Sequence, residues 1–357
     1  MGILGGKKPA IGLDIGSSSI KVAELRETKK GYQLVNFGIV PLQPEVIVDG
    51  AIMNTSAVVD AITSLLSERK IKTKDVVASV SGQSVMIRKI SMPAMTEEQL
   101  EEQIQWEAAQ YIPFEISDVN LDFQILNPAD EEGNMEVLLV AAKKEVINDY
   151  VTVLHDAGLN PVVIDVDAFA LLNIYEINYP IMENEVIALV NVGASLINIV
   201  VLQGGQYVFS RDISMGGNLY TEEIQKQLSV SYEEAELLKK GGSGGEDTEE
   251  VMRKEVDMVI REVSDQIAGE IARSLDFYSA AAPPDAQINK IWLSGGSCRI
   301  SGLAEAISKN QNLPMEILNP FRNIEANPKV FDPAYLEEVG PQAAIAVGLA
   351  LRRAGDR

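Results

Sequence analysis

Asp14, the run Gly16-Ser17-Ser18-Ser19 and Lys21 fall in one short stretch of the chain. Small residues can bring several backbone N–H groups to one point with no side chain in the way, which makes a nest for phosphate. Lys21 adds a positive charge beside it. A carboxylate repels phosphate unless a cation or water stands between them, so Asp14 would act through a metal ion or a water. The flanking runs, Ile11 to Ile15 and Ile20 to Leu25, are apolar. That pattern predicts a β-hairpin with the small residues at its tip. An ordinary hairpin with a polar tip has the same composition, so the rest of the chain must decide.

A counterpart lies in the second half. Val186 to Val190 runs into Asn191-Val192-Gly193-Ala194-Ser195, and Leu196 to Leu202 runs back. Tyr32 to Ile39 and Tyr207 to Ile213 read as a third strand after each hairpin. Each half therefore opens on a strand meander whose turn is fit to approach phosphate, and two such halves facing each other would grip a polyphosphate. A third small-residue turn, Ser294-Gly295-Gly296-Ser297, follows a strand from Ile288 to Leu293 and precedes a helix from Gly302 to Asn310. A double glycine there permits close backbone approach to a ligand at a helix entrance.

The remaining elements have to hold these turns. Helices are expected over Asn54 to Glu68, capped by Thr55 or Ser56, over Lys144 to Ala157, and over Asp167 to Tyr175. Strands are expected at Asp75 to Val80 and Pro161 to Val166. Between them lies a strand–helix–strand–strand unit: Val85 to Ile90, a helix opened by a Thr96/Gln99 capping box, Val119 to Leu126, and Met135 to Ala142, with a charged turn at Asp130 to Asn134. Trp106 falls off that helix's apolar stripe and so faces another element or a partner. Later come helices over Leu219 to Leu228, from Ser231, and over Thr248 to Ala280. A solvent loop is expected at Gly241 to Gly245, a short strand at Met315 to Leu318, and a last helix over Pro341 to Ala350.

Composition narrows the class. The chain has 357 residues, 46% of them apolar, and a formal charge of −22. So negative a chain is a poor binder of nucleic acid or anionic membrane and suits a basic partner. One cysteine, Cys298, rules out an internal disulfide framework. With a single histidine, His155, it also rules out the usual zinc site. His155 sits late in its helix, where a C-terminal interaction is expected, and Cys298 reads as packing. The start, MGILGGKKP, lacks a signal-peptide core, and Gly6 breaks the myristoylation pattern. Val186 to Leu202 is uncharged but short for a membrane span and reads as two buried strands.

The three glycine turns in this order resemble the actin-like ATPase superfamily. More closely, the chain is similar to the PilM family of bacterial type IV pilus assembly. The resemblance rests on GLDIGSSSIKVAEL at 12–25, MPAMTEEQLEEQIQWEAAQYIPF at 92–114, GGNLYTEEI at 216–224, GEIARSLDFY at 269–278 and LSGGS at 293–297. It implies an α/β actin-like ATPase fold: two duplicated halves around a nucleotide cleft, with an FtsA-like inserted α+β subdomain. The expected divisions are 1–82 with 151–184 and 340–357, an inserted unit over 83–150, a second core over 185–218 and 285–339, and a mainly helical unit over 219–284.

By the family pattern ATP would sit between the halves. Gly16, Ser17, Ser18 and Ser19 would cradle phosphates near Lys21, with Asp14 acting through Mg2+ or its waters. Gly193 and Ala194 would form the opposing turn. Gly216, Gly217, Gly295, Gly296 and Ser297 would border the nucleoside, flanked by Glu270 and Arg273. The implied partner is the cytoplasmic N-terminal tail of PilN, in a groove between the first and inserted subdomains, and the implied location is the cytoplasmic face of the inner membrane. The second phosphate turn of the superfamily opens with Asp, where this chain has Asn191. A neutral amide holds a metal-bound water less strongly, so ATP binding with slow or absent hydrolysis is expected. The alternatives are a small-molecule kinase, for which Asp165 and Asp167 are the candidate bases, and an FtsA-like filament former. The polar tail LRRAGDR does not suit the membrane-targeting helix that the filament former wants.

Overall fold

The structure is a computed structural model that describes residues 10–129, 132–241, 250–284 and 286–356. The chain begins with β1 (Ile11–Ile15), β2 (Ser19–Thr28) and β3 (Gly31–Pro41), then β4 (Ile47–Val48) and β5 (Ala51–Ile52). Helix α1 (Thr55–Glu68) and β6 (Asp75–Val80) follow. Asn54, not Thr55 or Ser56, caps α1, its side-chain oxygen accepting the Ala57 N–H at 3.1 Å. Its geometry just ahead of the first turn suits the acceptor role that asparagine fills well.

The next unit is β7 (Val85–Pro93), α2 (Glu97–Ala108), β8 (Val119–Asn127) and β9 (Asn134–Lys143). Thr96 and Gln99 form the expected capping box on α2. The strands pair in the order β7-β9-β8. They bury Met86, Met135 and Leu139 against Leu100 and Ile104 of α2, a core of this unit's own. Trp106 stands 79% exposed on the opposite face.

The chain then returns to the first half with α3 (Lys144–Asp156), β10 (Asn160–Val166) and α4 (Asp167–Asn178). Tyr150, Val153 and Leu154 of α3 join the first half's core, so the inserted unit packs as β7 to β9, and the last residues of 83–150 belong with the first half.

The second half runs β11 (Val186–Val192), β12 (Ile197–Gln203), β13 (Gln206–Ile213), α5 (Asn218–Leu228), α6 (Tyr232–Lys239), α7 (Glu250–Ala281), β14 (Lys290–Ser294), α8 (Leu303–Gln311) and β15 (Met315–Ile317). It ends with β16 (Ile324–Glu325), which pairs with β3, and α9 (Pro333–Leu349). Asn191 lies inside β11 rather than in the turn, because the ladder with β12 continues through Val192↔Ile197. Gly242 to Gly245 of the glycine loop, Thr248 at the expected start of α7, and Asp130 and Glu131 of the charged turn lie outside the described residues.

The two main sheets repeat one plan. The first has the order β10-β6-β1-β2-β3-β16 and the second β13-β12-β11-β14-β15. In each, an antiparallel meander of three strands meets two further strands running parallel to the first of the meander. The duplication expected from the two hairpins is therefore present in the topology.

Helix α9 begins at Pro333, capped by Asp332, well before the expected start at Pro341. A proline inside a helix removes one N–H and frees a carbonyl one turn back. Here that carbonyl, on Glu337, accepts from the Arg299 guanidinium at 2.5 Å, so the helix passes through Pro341 with the group satisfied. Two glycines seat α9. A methyl on Gly12 of β1 would collide with the Ala346 carbonyl, and one on Gly348 with the Ala170 carbonyl of α4. The Pro341 carbonyl also accepts the Gly295 N–H at 2.8 Å, so α9 touches both halves.

Candidate functional site

In sheets with parallel strands, ligands bind beyond the carboxyl ends of those strands. The two sheets point these ends at each other, and Asp14, Ser79 and Asp167 from one half meet Asn191, Gly193 and Gly295 from the other around a cavity of about 90 Å³. Ser17, Ser18, Asp49, Ala194 and Ser195 also line an outer cavity of about 460 Å³ that opens from it.

Both hairpin turns are closed by a single backbone bond. Gly16 N–H donates to the Ser19 carbonyl at 3.2 Å, and Gly193 N–H to the Leu196 carbonyl at 2.9 Å. The N–H groups of Ser17, Ser18, Ala194 and Ser195 donate to no protein acceptor among the described residues. Two lips of unused donors facing one space fit a polyphosphate. On the wall, Lys21 Nζ stands 3.1 Å from Asp14 Oδ2, with both side chains mostly buried. Among the described residues no three carboxylate, imidazole or thiolate groups gather as a metal cage. A magnesium ion here would therefore have to arrive on a nucleotide and keep most of its waters, with Asp14 as the carboxylate on the wall.

The other expected residues divide. Gly295 and Gly296 line the inner cavity and Gly216 the outer one. Gly217 and Ser297 brace the second turn from behind: Gly217 N–H and Ser297 Oγ both donate to the Gly193 carbonyl at 2.9 Å. A methyl on Gly217 would collide with Ser297 Oγ. Ser19 contributes its carbonyl to the first turn and lines neither cavity. Glu270 and Arg273 form an ion pair with each other on α7 and line neither cavity.

Asn191 does not reach for phosphate. Its Nδ2 donates to Asn198 Oδ1 at 3.0 Å and its Oδ1 accepts from Ser294 Oγ at 3.3 Å. One N–H and the oxygen of the amide are thus engaged in holding neighbouring strands, while the residue also lines the inner cavity. Cys298 is buried and its thiol is pushed up to about 12 by burial, which leaves it inert as a nucleophile.

Sequence reasoning undervalued Asp167, naming it only as a possible kinase base, and missed Ser79, Ser81 and Asp212. Asp167 opens α4 at the end of β10 and accepts from Ser79 Oγ at 2.6 Å. Burial, helped by the Asp14 carboxylate, pushes its carboxyl up to about 7, against the pull of the Ser79 and Ser81 hydroxyls. The available signal was position: each of these residues follows or ends a strand that runs parallel to, or pairs beside, a turn-bearing one.

Among known proteins, a sequence model of the family "Type IV pilus assembly protein PilM" matches residues 12–354. A solved "PilM-PilN type IV pilus biogenesis complex" contains a chain 30% identical, with a TM-score of 0.85, 97% of this chain covered and 99% of that one. The ethanolamine utilization protein EutJ of Carboxydothermus hydrogenoformans shares the fold at 14% identity and a TM-score of 0.58, covering 97% of this chain and 90% of its own. MreB5 of Spiroplasma citri, solved with AMPPNP, does so at 15% identity and 0.51, covering 96% and 95%. The duplicated sheets are thus those of the actin-like fold, and the chain belongs to the PilM family of type IV pilus assembly proteins.

Proposed function

We propose that this protein is an ATP-binding adaptor of type IV pilus assembly that holds the cytoplasmic N-terminal tail of PilN. The observation that carries the nucleotide half is the pair of facing turns with unused N–H donors on one cavity. Gly16, Ser17, Ser18 and Ser19 would form one side of the phosphate cradle and Gly193 and Ala194 the other. Lys21 would neutralise phosphate charge, and Asp14 would hold a water of the magnesium ion. When bound, magnesium would screen the phosphates from Asp14 and from one another. Gly216, Gly295 and Gly296 would border the nucleoside, Gly217 and Ser297 would hold the turn behind it, and Glu270 and Arg273, paired with each other outside both cavities, would flank it from α7 only if the cleft closes further.

Support for the partner comes from the 30% identical chain solved with PilN, matched over nearly its whole length. The groove lies, in this reading, between the first half and the inserted unit. No helix among the described residues is long and apolar enough to cross a membrane, and the −22 charge disfavours anionic lipid, so the place at the inner membrane would come through the partner. Asn191, occupied in the sheet, supports holding ATP over cleaving it quickly. The kinase and filament alternatives are not favoured by the family.

Titration calorimetry tests the reading. ATP with magnesium should bind, Asp14→Ala should remove most of magnesium's effect on affinity, and a PilN-tail peptide should bind separately. Unchanged magnesium dependence in the variant would sink the assignment of Asp14. Sustained turnover on the order of 1 per second or more would refute slow hydrolysis.

A further inference from the structure

Four polar residues cross the second sheet at a single level. The strand register sets Asp212 of β13 opposite Asn198 of β12, Asn198 opposite Asn191 of β11, and Asn191 opposite Ser294 of β14. Their neighbours along β11 and β12 are buried and apolar. Buried polar groups are retained only when they satisfy one another. Here they do: Ser294 Oγ donates to Asn191 at 3.3 Å, Asn191 to Asn198 at 3.0 Å, and Asn198 to Asp212 Oδ1 at 3.0 Å.

The rung has a direction. Both oxygens of Asp212 accept, so Asn198 presents its NH2 to it, which turns the Asn198 oxygen toward Asn191 and the Asn191 oxygen toward Ser294. One end touches the third glycine turn through Ser294. The middle lies beside the second phosphate turn. The far end leaves the sheet: Asp212 Oδ2 accepts the Gly82 backbone N–H at 2.6 Å. Gly82 is the residue through which the chain passes from β6 into the inserted unit, with φ +78°. Leu196, in the second turn, leaves only van der Waals room above it. Beside this bridge lies a cavity of about 220 Å³ between the inserted unit and β13, lined by Gln83, Arg88 and Arg211, so on this side the unit meets the second half through few polar contacts, while Leu138 and Ala142 pack it on the first.

We propose that this rung is a latch through which nucleotide in the cleft fixes the placement of the inserted unit, and with it the partner groove, with Asp212 as its positioning residue. The proposal rests on the nucleotide reading above. Asp212→Asn isolates it, because Asp212 receives two N–H donors from opposite sides and an amide has one accepting end.

Peptide-resolved hydrogen exchange on the whole protein, with and without ATP and magnesium, tests it. In the wild type, nucleotide should slow exchange in both phosphate turns and also at Gly82 to Ser84. In Asp212→Asn the turns should still respond and the Gly82 segment should not. Protection of the turns with no response at Gly82 in the wild type overturns the latch, as does a response that persists in the variant. If the turns themselves do not respond, the nucleotide reading fails and the latch falls with it, a result distinct from the first. A second measurement uses the PilN-tail peptide. ATP should change its affinity roughly fivefold or more in the wild type and less than about twofold in the variant. No change in the wild type, or equal changes in both, overturns the proposal, and the wild-type arms decide it even if the variant does not fold.

Discussion

Asp167 carries the clearest titration in the cleft. Its carboxyl sits at about 7 in the folded protein against an ordinary 3.8, because burial and the nearby Asp14 penalise the charged form. A raised folded value means that the stabilising contribution is complete below about pH 4 and is lost as pH rises through about 7. Asp167→Asn keeps an oxygen for Ser79 and removes the charge. Thermal melts of the nucleotide-free protein should then show the variant gaining on the wild type between pH 5 and 8.5, by about 2 to 4 kcal/mol at the upper end. A constant difference across that range would remove Asp167 from the account. Asn191→Asp tests the other lip. It would set a second carboxylate at the opposite end of Asn198, whose single NH2 cannot serve both. We expect a loss of about 1 to 3 kcal/mol by denaturant titration and no gain in ATP turnover. Equal stability with faster turnover would return Asn191 to the phosphate site.

At the scale of elements, the crossing of α4 and α9 is one of the tight constraints. Gly348→Ala would place its methyl against the Ala170 carbonyl, and backbone cannot yield as a side chain can. A fall in Tm of about 5 °C or more is expected from differential scanning calorimetry. An unchanged Tm would mean that the helices separate freely. Much of the fold was legible in such elements. The hairpins, the capping box at Thr96 and the apolar stripes are local patterns, and the structure keeps them. The α9 start was not legible, since Pro341 reads as a helix beginning until Arg299, distant in sequence, is seen to satisfy Glu337. The cleft was half legible. Glycine turns announce themselves by composition, but Asp167, Asp212 and Ser79 matter through strand register and burial. Asn191 was noticed as a departure in the turn, and only pairing with β12 revealed it as part of a strand.

At the scale of the molecule, the inserted unit is separable on paper. It has its own core, and Val85 pairs with Ala142, so its two ends emerge side by side. Replacing residues 85–143 by a short flexible linker should leave ATP binding in place and abolish binding of the PilN-tail peptide, both read by calorimetry on a variant shown folded by its melt. Peptide binding that survives would move the groove elsewhere. The excision must stop before α3, because Tyr150 and Leu154 belong to the first core, and since it also takes Leu138 and Ala142 from that core the melt of the variant should fall while remaining cooperative.

The seating of α9 also bears on synthesis. Gly12 of β1 is built to receive a helix that ends at Leu349. The first strand therefore waits for the last helix, some 20 to 70 s at ordinary ribosomal speed. The inserted unit closes on a contiguous stretch of chain and can fold as it emerges. The first half cannot, and its apolar strands stay exposed for most of translation. A chain stopped before Pro333 should then appear in the insoluble fraction while the full-length chain made alongside it stays in solution. For this protein the half that is made first is the last to be completed.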